Sequence, residues 1–124
     1  MLFRSYTDHV LSSMIDKLKA MKDADTALIY MSDHGESLGE KGLFLHGAPY
    51  AIAPSEQTHI PMILWVSDGL RSRLGIAKGC LEACAKKPVS HDDLWSTVLA
   101  LTQVKSSTYN AKQDITAACR KPSK

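Results

Sequence analysis

The sequence predicts an α/β fold from three observations: a helical apolar repeat over residues 6–21, an apolar run at 27–31 one turn later, and a second apolar run at 60–66. In the first segment Tyr6, Val10, Leu11, Met14, Ile15, Leu18 and Met21 recur three or four apart, with Asp8, Ser12, Asp16, Lys17 and Lys19 between them. That spacing lines one face of an α-helix. Asp23, Ala24 and Asp25 end it. Ala27, Leu28, Ile29, Tyr30 and Met31 then read as a buried parallel strand, and helix, short turn and strand make half of a βαβ unit.

Residues 32–59 show no sustained periodicity and hold Gly35, Gly39, Gly42, Gly47, Pro49 and Pro54. A loop of that length inside a small domain is uncommon and usually functional. Residues 60–66 form a second buried strand, with Pro61 tolerated at its start, and Ser67, Asp68 and Gly69 close it. Residues 70–87 are polar and basic, with a weak helical pattern at 80–85. The last helix spans residues 92–101 behind Ser90, which is placed to cap it, with Asp93 completing a Ser-x-x-Asp box. Its apolar face is Leu94, Trp95, Val98, Leu99 and Leu101; residues 106–124 are polar and read as irregular.

Composition bounds the function. The 124 residues suit one small domain with a modest core, and 44% apolar with 23% charged residues is ordinary globular usage. A net charge of +2, with lysines and arginines dispersed, gives no nucleic-acid partner. The longest apolar stretch, 60–66, falls far short of the roughly 20 residues a spanning helix requires. The first residues lack the apolar core of a signal peptide, so the chain taken alone reads as cytoplasmic. Cys80 and Cys84 lie four apart and Cys119 is distant, which matches neither a CxxC motif nor a zinc ribbon. Two readings stay open for them: a disulfide in an oxidising compartment, or three unpaired structural cysteines.

Asp33 and His34 emerge at the C-terminal end of the first strand, where open α/β sheets bind ligands. A carboxylate oxygen beside an imidazole nitrogen suits zinc. The same residue types also serve as turn formers and packed side chains. Gly35 permits close backbone approach, and His46, thirteen residues beyond Asp33, lies in a loop able to fold back over the site. Glu36 has three readings: an outer carboxylate, a ligand to a second ion, or a cap. A zinc site takes three or four protein ligands, and this segment supplies two good ones. His9, His59 and His91 read as surface or loop-anchoring residues. Ser37 lacks a G-x-S-x-G setting, no threonine sits where it would be activated, and no phosphate-binding or dinucleotide loop is present.

Tyr30-Met31-Ser32-Asp33-His34-Gly35-Glu36-Ser37-Leu38-Gly39-Glu40-Lys41-Gly42, then Leu45-His46-Gly47, Ala51-Ile52-Ala53-Pro54 and Glu56-Gln57 to Pro61, closely resemble the lipid A phosphoethanolamine transferases. These belong to the alkaline phosphatase/sulfatase superfamily. Ser90-His91-Asp92-Asp93-Leu94 and Cys119-Arg120 resemble that family's C-terminal end. The resemblance implies part of an alkaline phosphatase-like, three-layer α/β/α domain, with residues 1–124 its C-terminal portion. It implies Zn2+ as cofactor, Asp33 and His34 as metal ligands, His46 on the phosphate group or a second ion, and Glu36 close by. The implied donor is phosphatidylethanolamine and the implied acceptor lipid A, on the periplasmic face of the bacterial inner membrane.

The family's nucleophilic threonine, an early glutamate ligand and a further phosphate-binding histidine have no match in the 32 residues before Asp33. Its membrane helices have no match either, so membrane association is expected only through an N-terminal domain absent here. The expectation is therefore half of a zinc site, no catalytic nucleophile and no autonomous transferase activity. Two alternatives stand beside it: a sulfatase or phosphoglycerol transferase of the same superfamily, and a non-catalytic residual module. Residues 36–40 and 48–54 favour the phosphoethanolamine transferases.

Overall fold

The computed structural model describes residues 2–121, with side chains from Ser5 onward. In chain order the elements are α1 (Leu2–Ala20), β1 (Ala27–Met31), β2 (Ser37–Leu38), β3 (Phe44–Leu45), α2 (Ser55–Thr58), β4 (Met62–Val66), α3 (Asp68–Arg73), α4 (Cys80–Cys84) and α5 (Asp93–Thr102). Short 3-10 turns lie at Glu40–Gly42, Ala111–Gln113 and Ala117–Cys119. The chain divides into two units, Met1–Ala27 with Val66–Lys124, and Leu28–Trp65.

In the first unit α1 begins at Leu2, earlier than the apolar repeat predicts, and ends before Met21. Lys17 and Lys19 sit in its last turn, where positive charge complements the helix dipole. Leu11 is buried, but Tyr6, Met14 and Met21 are exposed, so the predicted apolar face is only partly covered. Buried Thr26 donates its hydroxyl to the Leu18 carbonyl at 3.3 Å and fastens the following chain to the helix end.

The Ser67 amide donates to the Thr26 carbonyl at 2.8 Å, and the Thr26 amide donates to Ser67 Oγ at 3.0 Å. The same Ser67 Oγ caps α3 by accepting from the Leu70 amide at 3.2 Å. Sequence periodicity does not reveal α3, because six residues are too few to display a repeat. Leu70 and Leu74 nonetheless bury against the unit.

The weak pattern at 80–85 is realised as α4. Cys80 pairs with Cys119 in a disulfide, Cα–Cα 5.6 Å, while Cys84 is free. That resolves the two cysteine readings in favour of a cross-link. A ring closed over 39 residues stabilises by at most about 4 kcal/mol on the chain-entropy view. Disulfides persist in oxidising compartments, which corrects the cytoplasmic reading of the isolated sequence.

Ahead of α5, Asp93 Oδ2 accepts from the Ser90 amide at 2.7 Å, one half of the predicted box. Ser90 Oγ accepts from the Asp92 amide at 3.2 Å instead of the amide of Asp93. The buried face is also displaced from the predicted one: Ser96, Thr97, Leu99, Ala100 and Leu101 are buried, whereas Trp95 is 57% exposed. Small hydroxyl residues bury here because the C-terminal segment satisfies them. Ser96 Oγ accepts from the Asn110 amide at 3.0 Å. Thr97 Oγ1 accepts from the Ile115 amide at 3.1 Å and donates to the Asp93 carbonyl at 2.6 Å.

That segment is irregular, as predicted, yet firmly held. Buried Asp114 accepts from Tyr109 Oη at 2.8 Å, from the Thr116 amide at 2.8 Å and from Thr116 Oγ1 at 2.7 Å, and it pairs with Arg120. Burial, then donation to Asp114, pushes the Tyr109 phenol above its ordinary value. The core of this unit includes Leu70, Leu74, Ile76, Leu99 and Leu101. Leu99→Ala is expected to cost about 2–5 kcal/mol in chemical denaturation. A cost near zero would mean that Leu99, 6% exposed, is not a core residue.

In the second unit β1 pairs with β4 in a two-stranded sheet. The Thr26–Ser67 bonds join the start of β1 to the end of β4, so the two strands run in opposite directions, and β1, read from its sequence as a parallel strand, has an antiparallel neighbour. All five residues of β1 are half-buried, and in β4 only Val66 is buried. The predicted pair of central, buried strands is therefore corrected: among the described residues each has a single strand neighbour. Ile29→Ala or Leu64→Ala should consequently cost less than about 2 kcal/mol, below the fully buried range.

The long loop is not structureless. β2 and β3 pair antiparallel, Ser37 opposite Leu45 and Leu38 opposite Phe44. The turn between them passes through Gly39 (φ 121°) and Gly42 (φ 74°), backbone angles that glycine adopts without a Cβ penalty.

Candidate metal site

Every sequence-predicted site residue falls in the second unit, on the chain between β1 and α2. Immediately after β1, Ser32 Oγ donates to the His34 carbonyl at 2.6 Å, and the His34 amide donates to Asp33 Oδ1 at 3.1 Å. This tight turn points the Asp33 carboxylate and the His34 ring the same way, with Asp33 Oδ2 3.7 Å from His34 Nε2. Donation from its own backbone amide holds the Asp33 carboxyl below its usual range, and the adjacent His34 ring and His34 amide add to the effect. Asp33 is thus an anion, and its side chain is 87% exposed.

The His34 tautomer follows from its neighbours. Nδ1 lies 2.9 Å from the Gly35 carbonyl, which can only accept, so Nδ1 carries the proton. In the neutral ring Nε2 then presents a lone pair toward the side on which Asp33 lies. A backbone carbonyl fixing the distal nitrogen is the usual support of a metal-binding histidine.

Gly35 is there for space. Its amide donates to the Gln57 carbonyl at 3.0 Å, and a Cβ at this position would lie 1.9 Å from the Glu56 carbonyl oxygen. Gln57, buried in α2, donates from Nε2 to Ser37 Oγ at 2.8 Å and accepts from the Ala48 amide at 3.3 Å. One side chain thereby clamps both arms of the hairpin, just past Glu36 on one side and just past His46 on the other.

The clamp returns His46 to the site. Its ring stacks on that of His34, centroids 4.0 Å apart and planes 30° from parallel. His46 Nδ1 meets Glu36 Oε1 at 2.7 Å. The carboxylate accepts, so Nδ1 is the donor and Nε2 is the ring's free edge. The structure therefore gathers His46 onto His34 and places Glu36 on His46. Asp33 and His34 acquire no third converging ligand: among the described residues the set of three that converges is Cys80, Cys84 and Cys119. Sequence reasoning missed Gln57, since a buried amide in a glycine-rich loop carries no local signal.

A fold of mixed helices and strands, with Asp-His at the end of a strand and a histidine returned by a glycine-rich loop, is met in known proteins. The chain belongs to the sulfatase family, whose model matches residues 3–104. Within it the similarity is to phosphoethanolamine transferases. Phosphoethanolamine transferase EptA of Escherichia coli K12 is 45% identical over 120 residues, which is 95% of this chain and 22% of the relative. Among solved structures, the soluble domain of lipooligosaccharide phosphoethanolamine transferase A from Neisseria meningitidis matches with TM-score 0.88 at 50% identity, covering 94% of this chain and 36% of that one. The C-terminal periplasmic domain of phosphoethanolamine transferase EptC from Campylobacter jejuni matches with TM-score 0.79 at 43% identity, covering 96% and 37%. The chain thus spans about a fifth of the length of the curated relatives. No helix among the described residues is long and apolar enough to cross a membrane.

Proposed function

We propose that this chain is the C-terminal portion of a phosphoethanolamine transferase catalytic domain working on the periplasmic side of the inner membrane. In the complete enzyme, phosphoethanolamine passes from phosphatidylethanolamine to lipid A. Asp33 and His34 hold Zn2+ there, and His46, backed by Glu36, meets the phosphoryl group or a second ion. Identity of 43–50% to phosphoethanolamine transferases supports this chemistry over that of other sulfatase-family enzymes.

The observation that carries the metal reading is the 3.7 Å between Asp33 Oδ2 and His34 Nε2. Two donors each 2.0–2.1 Å from one tetrahedral ion lie about 3.3 Å apart, so a small side-chain adjustment brings both onto zinc. An anionic oxygen and a neutral nitrogen whose far side is held by a carbonyl fit that ion. When bound, zinc neutralises phosphoryl charge and lowers the pKa of an attacking hydroxyl. The chain's own residues do the rest. Gly35 and Gln57 fix the hairpin, Glu36 orients the His46 ring through Nδ1, and His46 Nε2 is left to meet a phosphoryl oxygen or a second ion.

Two ligands of an expected four give weak binding. Half of a structural-site free energy corresponds to a Kd on the order of 1–100 µM. Calorimetric titration with zinc, in a Cys84→Ser background to remove the free thiol, is expected to show one such site. Asp33→Ala/His34→Ala should abolish it. Nanomolar binding, or binding untouched by the double substitution, would refute the assignment of these ligands.

A further inference from the structure

The cysteine cluster has chemistry that the transferase site does not use. Cys80 and Cys84 open and close α4, one turn apart and therefore on one face of the helix. Cys119 faces both. It is bonded to Cys80, yet its Sγ lies only 3.6 Å from Cys84 Sγ. All three sulfurs fall within 4.8 Å of one another. Cys84 is half-buried and free, and it lines an open cleft of about 340 Å³ with Lys87, Pro88, Val89, Asp93 and Lys112. Small reagents can reach it, and it has room to turn.

We propose that these residues form a thiol–disulfide exchange centre in which Cys119 is handed between Cys80 and Cys84. Cys84 loses its proton, and the thiolate attacks Cys119 Sγ. The Cys84–Cys119 bond forms as the Cys80–Cys119 bond breaks. The electron pair leaves on Cys80 Sγ, which takes up a proton. One disulfide and one thiol are present before and after, so no oxidant or reductant is consumed. The three sulfurs make a triangle rather than a line, so Cys84 rotates about χ1 before it attacks in line.

The consequence is a cross-link that survives loss of either helix cysteine. The C-terminal segment is held independently of the disulfide: the Ala77 amide donates to the Cys119 carbonyl at 3.1 Å, and the Lys121 amide to the Gly75 carbonyl at 3.3 Å. Asp114, Thr116 and Arg120 anchor it further. Cys119 therefore stays beside α4 while its partner changes. In a Cys80→Ser chain the Cys119 thiol is free, so a mixed disulfide formed at Cys84 by exchange with glutathione disulfide would be resolved by Cys119 with release of glutathione.

The test is to hold the purified full chain at neutral pH without reductant, quench it in acid, alkylate under denaturing conditions and map the labelled peptides. Label is expected on Cys84 and, in a smaller fraction, on Cys80. Cys80→Ser, oxidised with glutathione disulfide, should form Cys84–Cys119 and leave no free thiol. Cys84→Ser should hold Cys80–Cys119 with no label on either. Label confined to Cys84 in the wild type, however long the incubation, overturns the proposal. A folded Cys80→Ser chain labelled at both Cys84 and Cys119 overturns it equally. Should Cys80→Ser fail to fold, the wild-type map decides alone.

Discussion

Gly35→Ala is expected to unlatch the hairpin that carries His46 and to cost about 2–4 kcal/mol. The added methyl would sit 1.9 Å from the Glu56 carbonyl oxygen, and that obstacle is backbone of α2, not the tip of a flexible side chain. Forcing such overlap into a packed site costs about 1–3 kcal/mol. Moving α2 away also breaks the Gly35–Gln57 backbone bond and loosens the buried Gln57–Ser37 pair, and an unsatisfied buried polar group costs about 1–3 kcal/mol more. The effect should reach the site. With Gln57 displaced, Ala48 is released and His46 no longer stacks on His34. Chemical denaturation together with amide exchange at Gly35 and Ala48 measures both consequences. An alanine variant with unchanged midpoint and unchanged protection would show that the close approach to Glu56 does not exist in solution.

Gly35 also marks how far the sequence could be read. Its type suggested close approach, and its neighbours Asp33 and His34 were legible as candidate ligands because acid and imidazole followed an apolar run. That His46 returns to them was legible only as a possibility of loop length. The agent of the return, Gln57, acts through contacts twenty and nine residues away, which no local pattern encodes. Hydrophobic periodicity located α1, α4 and α5 but misjudged what α1 and α5 bury. On α5 it selected Trp95 and Val98, while the buried face contains Ser96 and Thr97, whose hydroxyls are satisfied by residues 110 and 115. Apolar runs located β1 and β4 but overstated their burial and took β1 for a parallel strand, since burial and pairing depend on neighbours that a strand's own residues do not specify. Asp114 was unreadable for a related reason. A carboxylate buries only with partners, and here Tyr109, Thr116 and Arg120 converge on it from an aperiodic segment.

The chain by itself is expected to form no covalent phosphoethanolamine adduct and to turn over no phosphatidylethanolamine. Transfer through a covalent intermediate needs a hydroxyl held against the metal and free to lose its proton. Four of the seven threonine hydroxyls are committed elsewhere. Thr97 donates to the Asp93 carbonyl, Thr116 to Asp114, Thr102 to the Val98 carbonyl and Thr26 to the Leu18 carbonyl. Thr26, Thr97 and Thr116 are also buried. Beside Asp33 and His34, Ser32 donates to the His34 carbonyl and is part of the turn that aims both side chains. Intact-protein mass spectrometry after incubation with donor lipid and zinc should find the unmodified mass. Supplying a separately expressed upstream segment of a related transferase should restore some activity, and His46→Ala should then lower it by roughly 10²–10³-fold, as removal of one donor to a developing oxyanion does. A phosphoethanolamine increment on the isolated chain, lost in Asp33→Ala, would mean that a hydroxyl among these 124 residues is the nucleophile and that the site is complete as it stands.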